Sequence, residues 1–109
     1  GQAKSVMKLL PVIDTIERAI TNVPEELADN AWAKGVAGLG KQLDKQLKEI
    51  GLEKIDAKPG ALFNPELHQA VQFDEEADGD KEVVAEELRA GYTLDGAVIR
   101  DAMVKVTRQ

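Results

Sequence analysis

The sequence predicts an α+β fold: an N-terminal helical hairpin forming a dimeric four-helix bundle, followed by a small C-terminal β-domain. Three observations carry this. Apolar residues recur at intervals of three and four up to residue 50, and at intervals of two beyond it. Charge divides at the same place. Residues 1–50 hold seven basic and seven acidic side chains, whereas residues 51–109 hold seven basic and thirteen acidic, so the net charge of −6 resides in the second part. Gly51 stands at the break, which sets the expected domains at 1–51 and 52–109.

In the first helix Leu9, Ile13, Ile16 and Ile20 form one stripe, widened by Val6 and Leu10. Pro11 lies inside this pattern; it lacks the N–H that would reach the Met7 carbonyl, so it either kinks the helix or marks a start. The pattern fails between Thr21 and Asp29, where Asn22, Pro24, Glu25 and Glu26 read as a connection. Asp29 or Asn30 then caps a second helix. Its stripe is Trp32, Val36, Leu39, Leu43, Leu47 and Ile50, and Gly51 follows as the stop. Gly35, Gly38 and Gly40 lie within it, each costing about 1 kcal/mol relative to Ala. They mark either a weak first turn and close helix contact, or a labile helix. A helical hairpin of about 50 residues buries little core by itself, so pairing with a second copy is the expected solution. Leu9, Ile13, Ile16, Ile20, Leu39, Leu43 and Leu47 are the expected homodimer interface.

Beyond Gly51, Leu52–Ala57 reads as a strand closed by a turn at Lys58-Pro59-Gly60. Asn64-Pro65-Glu66-Leu67 reads as a helical turn with Asn64 as its cap, and Gln69–Phe73 as a second strand. Asp74 to Glu87 holds eight acidic residues and one Lys, and reads as a solvated loop. Asp95-Gly96, flanked by Val84–Leu94 and Ala97–Thr107, is the strongest hairpin signal in the chain. In the last arm Val98, Ala102, Val104 and Val106 share one face, and Ile99, Met103 and Thr107 the other. That arm is either covered on both sides or presents one face as a contact surface. Phe63, Phe73 and Tyr92 are expected to keep the domain compact.

Composition excludes several functions. The chain has no Cys, so disulfides, thiolate metal sites and thiol nucleophiles are absent. An acidic balance argues against nucleic acid and against an anionic membrane surface. No apolar run approaches the roughly 20 residues of a membrane span. Charges scattered through Gly1 to Arg18 are unlike a secretory signal. The expectation is a soluble cytoplasmic protein, trimmed from a longer chain since it does not begin with Met. His68 is the only His and Ser5 the only Ser, so no Ser-His pair exists and no enzyme is expected. Asp74, Glu76, Asp78, Gly79, Asp80 and Glu82 match six positions of a calcium-binding EF-hand loop, but Ala85 occupies the position that requires a bidentate Glu. No metal or cofactor is expected. What remains is an interaction protein.

Three segments resemble a known family. Leu9-Leu10-Pro11-Val12-Ile13-Asp14 followed by Glu17-Arg18-Ala19 is similar to the first-helix motif of the GrpE family, the nucleotide exchange factors of the bacterial DnaK chaperone. Asn64-Pro65-Glu66-Leu67-His68-Gln69-Ala70-Val71 resembles the family segment in which two residues separate a Pro from His-Gln-Ala. Gly91-Tyr92-Thr93-Leu94-Asp95-Gly96, then Ile99-Arg100 and Ala102-Met103-Val104-Lys105-Val106, resembles the C-terminal signature. The resemblance implies a four-helix-bundle dimer whose β-domains project as wings. One wing is expected to hold open the nucleotide-binding domain of a DnaK-type chaperone so that ADP leaves. It also implies that Phe63, Pro65, Leu88 and Val106 contact the chaperone, each with wing core as the alternative role. The family often has Arg after the hairpin glycine, where this chain has Ala97. A dimerisation adaptor that keeps the fold without exchange activity is the competing function.

Overall fold

The computed structural model describes residues 1–109, which divide into two compact units, Gly1–Gly51 and Leu52–Gln109. The first is helical. Helix α1 spans Gln2–Thr21 and contains Pro11 in its interior, so Pro11 does not start the helix. The Thr15 hydroxyl donates to the Pro11 carbonyl at 3.0 Å. A 3₁₀ turn at Glu25–Leu27 leads to helix α2, Ala31–Glu49. Of the two candidate caps, Asn30 is the one used: its Oδ1 accepts from the N–H groups of Trp32 (2.8 Å) and Ala33 (3.3 Å), satisfying two of the donors that a helix start leaves orphaned. At the other end the Gly51 N–H donates to the Lys48 carbonyl with φ at 89°, a left-handed stop that favours glycine.

Within this unit the buried side chains are Val6, Leu10 and Ile13 of α1 and Ala33 of α2. Leu9, Val12 and Ile16, about a quarter-turn or more around α1, are exposed. So are Trp32, Leu39 and Ile50 on α2, while Ile20, Val36, Leu43 and Leu47 are half-buried. Each helix therefore carries an apolar stripe of which one edge is covered and the other faces solvent.

The second unit contains two three-stranded sheets. Strands β1 (Leu52–Lys54), β4 (Tyr92–Leu94) and β5 (Ala97–Arg100) form one, in the order β1-β4-β5 and antiparallel throughout. Strands β2 (His68–Phe73), β6 (Ala102–Arg108) and β3 (Glu82–Arg89) form the other, in the order β2-β6-β3. There β6 runs parallel to β2, with His68 opposite Ala102, and antiparallel to β3, with Val84 opposite Val106. The hairpin at Asp95-Gly96 is present, and both residues have positive φ (50° and 85°), as a tight turn matching the strand twist requires.

Each arm of that hairpin breaks once and passes from one sheet to the other, at Ala90-Gly91 and at Asp101. The two breaks lie against each other. A Cβ on Gly91 would sit 2.2 Å from the Ala102 nitrogen and 2.6 Å from the Asp101 carbonyl carbon, so only glycine lets the backbones cross here. The break also resets the alternation: Ala102, Val104 and Val106 are buried, whereas Val98, assigned to their face by simple alternation, is exposed.

Three further expectations are corrected. The first strand stops at Lys54 rather than Ala57, because Ile55 and Ala57 leave the sheet to join the core formed with Val84, Ala102, Val104 and Val106. The acidic loop ends at Lys81; Glu82, Glu86 and Glu87 belong to β3, held there by pairing to β6. Phe73 is 60% exposed and does not anchor the core, unlike the buried Tyr92 and the half-buried Phe63. It ends β2, which is bonded to a neighbour on one side only.

Candidate functional site

The segment carrying Phe63 and Pro65 is built as an extra edge on β3. After the turn at Lys58-Pro59-Gly60, the Gly60 N–H donates to the Val84 carbonyl (2.8 Å), the Val84 N–H to Ala61 (2.8 Å) and the Phe63 N–H to Glu82 (3.0 Å). Strand-like alternation then puts neighbouring side chains on opposite faces. Phe63 packs against the core, while Leu62 is 65% exposed. The chain next folds into a turn over Pro65–Leu67. Asn64 Oδ1 accepts from the Glu66 N–H (2.9 Å), and the Asn64 carbonyl accepts from the N–H groups of Leu67 (3.0 Å) and His68 (2.8 Å). Pro65 is exposed on this turn.

His68 lies beneath, 4% exposed and the one buried polar residue in the chain. Its Nδ1 accepts from the Asn64 N–H at 3.0 Å, which places the ring hydrogen on Nε2, 2.7 Å from the Asp56 carbonyl that accepts it. The ring centroid is 5.9 Å from that of Phe63. Both nitrogens are thus committed to backbone, and the ring is placed to hold structure rather than to transfer protons.

The other two named residues sit differently. Val106 is 2% exposed, within the core cluster against which Phe63 packs, so its side chain is not offered at the surface. Leu88 is 40% exposed, farther along β3 and beyond the register shift between Val84 and Glu86. The structure does not gather the four. The Phe63 N–H bonds Glu82 at the start of β3, and Leu67, two residues after Pro65, accepts from the Ala102 N–H at the start of β6. Val106 lies opposite Val84 and Phe73, and Leu88 lies between the pairs Glu87–Val104 and Arg89–Met103. Leu62 was not singled out by sequence reasoning; alternation outward from Phe63 was the signal available for it.

A second feature organises the crossing between the sheets. Arg100 directs Nε (3.0 Å) and Nη2 (2.6 Å) at the Ala90 carbonyl, and its guanidinium lies 5.5 Å from the centre of the Tyr92 ring. Two donors on one carbonyl, backed by an aromatic face, pin the chain where it changes sheets. In the acidic segment the Thr107 hydroxyl donates to the Asp74 carboxylate at 3.2 Å. A groove of about 450 Å3 runs there between Phe73, Asp78, Glu82 and Arg108. No group of three or more potential metal ligands converges anywhere in the chain. Neither helix is long and apolar enough to cross a membrane.

Comparison with known proteins places this architecture. The GrpE family model matches residues 1–108. The chain is 42% identical over 101 residues to "Protein GrpE" of Halalkalibacterium halodurans, covering 93% of this chain and 52% of that protein. It is 42% identical over 108 residues to "Protein GrpE" of Staphylococcus carnosus, covering 98% of this chain and 54% of the relative. With the Synechococcus sp. (strain CC9605) protein of the same name it shares 41% identity over 104 residues, 94% of this chain and 46% of the relative. The chain spans about half the length of the curated relatives it matches. With a match that runs through both the helical unit and the β-unit, the chain belongs to the GrpE family.

Proposed function

We propose that this chain belongs to a co-chaperone that acts as an adenyl-nucleotide exchange factor for a DnaK-type chaperone in the cytoplasm. The family match across residues 1–108 carries the reading. It acts by binding, with no chemistry of its own; the commitment of the only histidine to backbone groups supports this. The β-unit, residues 52–109, is the wing that engages the nucleotide-binding domain. Binding the open cleft more tightly than the closed one is sufficient to speed ADP release. Linkage then requires that bound nucleotide weaken the complex by the same factor.

The wing contact uses Phe63, Pro65 and Leu88, with Val106 buried in the core. Residues 1–51 form the dimerisation region. Leu9, Ile16 and Leu39, exposed in the single chain, meet a second copy in a four-helix bundle flanked by Ile20, Leu43 and Leu47, while Ile13 is already covered. An apolar stripe left half-open on both helices supports this, since each such side chain gains about 1.5–3 kcal/mol on full burial. Nucleic acid and membrane are not partners; the net charge of −6 disfavours both.

The test is release of a fluorescent ADP analogue from a DnaK-type chaperone. Acceleration that is lost in Leu88→Ala, with the fold retained, is the expected result. A folded dimer that leaves the release rate unchanged, both as this chain and at full length, refutes exchange and favours the adaptor.

A further inference from the structure

We infer that His68 is a positioning residue for partner recognition: its ring holds the Leu62–Pro65 segment in the shape that the chaperone reads. This deepens the proposed function and rests on it. Three observations converge on the ring. It joins the Asp56 carbonyl, in the segment that follows β1, to the Asn64 N–H, in the turn that precedes β2. Asn64 stands between Phe63 and Pro65, so the atom that His68 holds lies inside the displayed segment. The imidazole also lies beside the Phe63 ring, tilted by 34° at 5.9 Å. Leu62, 65% exposed, is carried on the same short edge. A hydroxyl or amide at position 68 can donate and accept but brings no aromatic face; the imidazole supplies an acceptor, a donor and an aromatic face from one rigid group.

Three variants separate positioning from bulk stability. His68→Phe keeps the ring volume and the aromatic neighbour but removes both hydrogen bonds. His68→Asn restores an acceptor near the Nδ1 position, and His68→Gln a donor near Nε2. The measurements are affinity for the nucleotide-binding domain of a DnaK-type chaperone, and amide hydrogen exchange of this chain. The expected result is that His68→Phe remains folded, exchanges its Asn64 amide faster and binds about tenfold more weakly. His68→Asn should recover affinity and Asn64 protection together, while His68→Gln recovers less. Ring nitrogen resonances of the unsubstituted chain should show hydrogen on Nε2 both free and bound. Binding by His68→Phe within twofold of the unsubstituted chain overturns the inference. So does an unchanged Asn64 exchange rate, whatever the affinity. Should His68→Phe fail to fold, the same two criteria apply to the comparison of His68→Asn with His68→Gln: equal affinity and equal Asn64 protection in the two overturn it. Failure of the unsubstituted chain to bind removes the exchange-factor reading and with it the role in recognition.

Discussion

Gly91→Ala should strongly destabilise the β-unit, because a side chain at this position meets backbone on the opposing arm. The added Cβ meets the Ala102 nitrogen at 2.2 Å, the Asp101 carbonyl carbon at 2.6 Å and the Ala102 Cα at 2.7 Å, all of them backbone. Reaching ordinary contact near 3.4 Å requires the two chains to part by roughly 1.2 Å at the point where both change sheets. No side chain can rotate away to relieve this. The displacement also pulls Ala90 from Arg100, whose two hydrogen bonds there are 3.0 and 2.6 Å. Overpacking that side chains can absorb costs about 1–3 kcal/mol, so a clash against fixed backbone should cost at least about 3 kcal/mol. In urea this lowers the midpoint by at least about 1 M, taking a slope of about 1–3 kcal/mol per M. Far-UV circular dichroism follows the unfolding, and amide dispersion for residues 52–109 locates it. A Gly91→Ala chain within 1 kcal/mol of the unsubstituted one refutes the crossing geometry.

Other substitutions test the remaining parts. Asn30→Ala removes the cap of α2 and should lower stability by about 1 kcal/mol in thermal melts, with no local compensation from Asp29. Gly38→Ala places its Cβ in open space within one chain and should stabilise α2 by up to about 1 kcal/mol; destabilisation would mean that a second copy packs there. Leu39→Asp puts a charge on the exposed stripe of α2, and sedimentation should show loss of the dimer with helix content retained in α1 and α2 at high protein concentration. Val106→Ala should cost about 1–3 kcal/mol through cavity formation, whereas Leu62→Ala should cost less than about 0.5 kcal/mol and weaken chaperone binding instead.

Local signals were readable from sequence alone because the atoms that satisfy them are close along the chain. Asn30 caps α2 through N–H groups two and three residues away, Gly51 ends it with a left-handed backbone, and Asp95-Gly96 makes its turn within two residues. The sequence also shows His68 as the only His, with no Cys and only Ser5 to pair with it as a nucleophile. Its tie to Asp56, twelve residues back, was not visible. The family resemblance likewise rests on short consecutive motifs, and it extends to both units.

Tertiary structure decided what depends on distant residues. Alternation could not reveal that β6 lies parallel to β2 and antiparallel to β3, nor that Gly91 and Asp101 meet where the arms change sheets. Among half-apolar strand residues, only the pairing partner distinguishes buried Val106 from exposed Leu62 and Leu88. On the helices, periodicity defined the apolar stripe but could not divide covered Leu10 from exposed Leu9. A helical period of 3.6 residues fixes the direction of a side chain around its own axis, whereas burial depends on what packs against that direction.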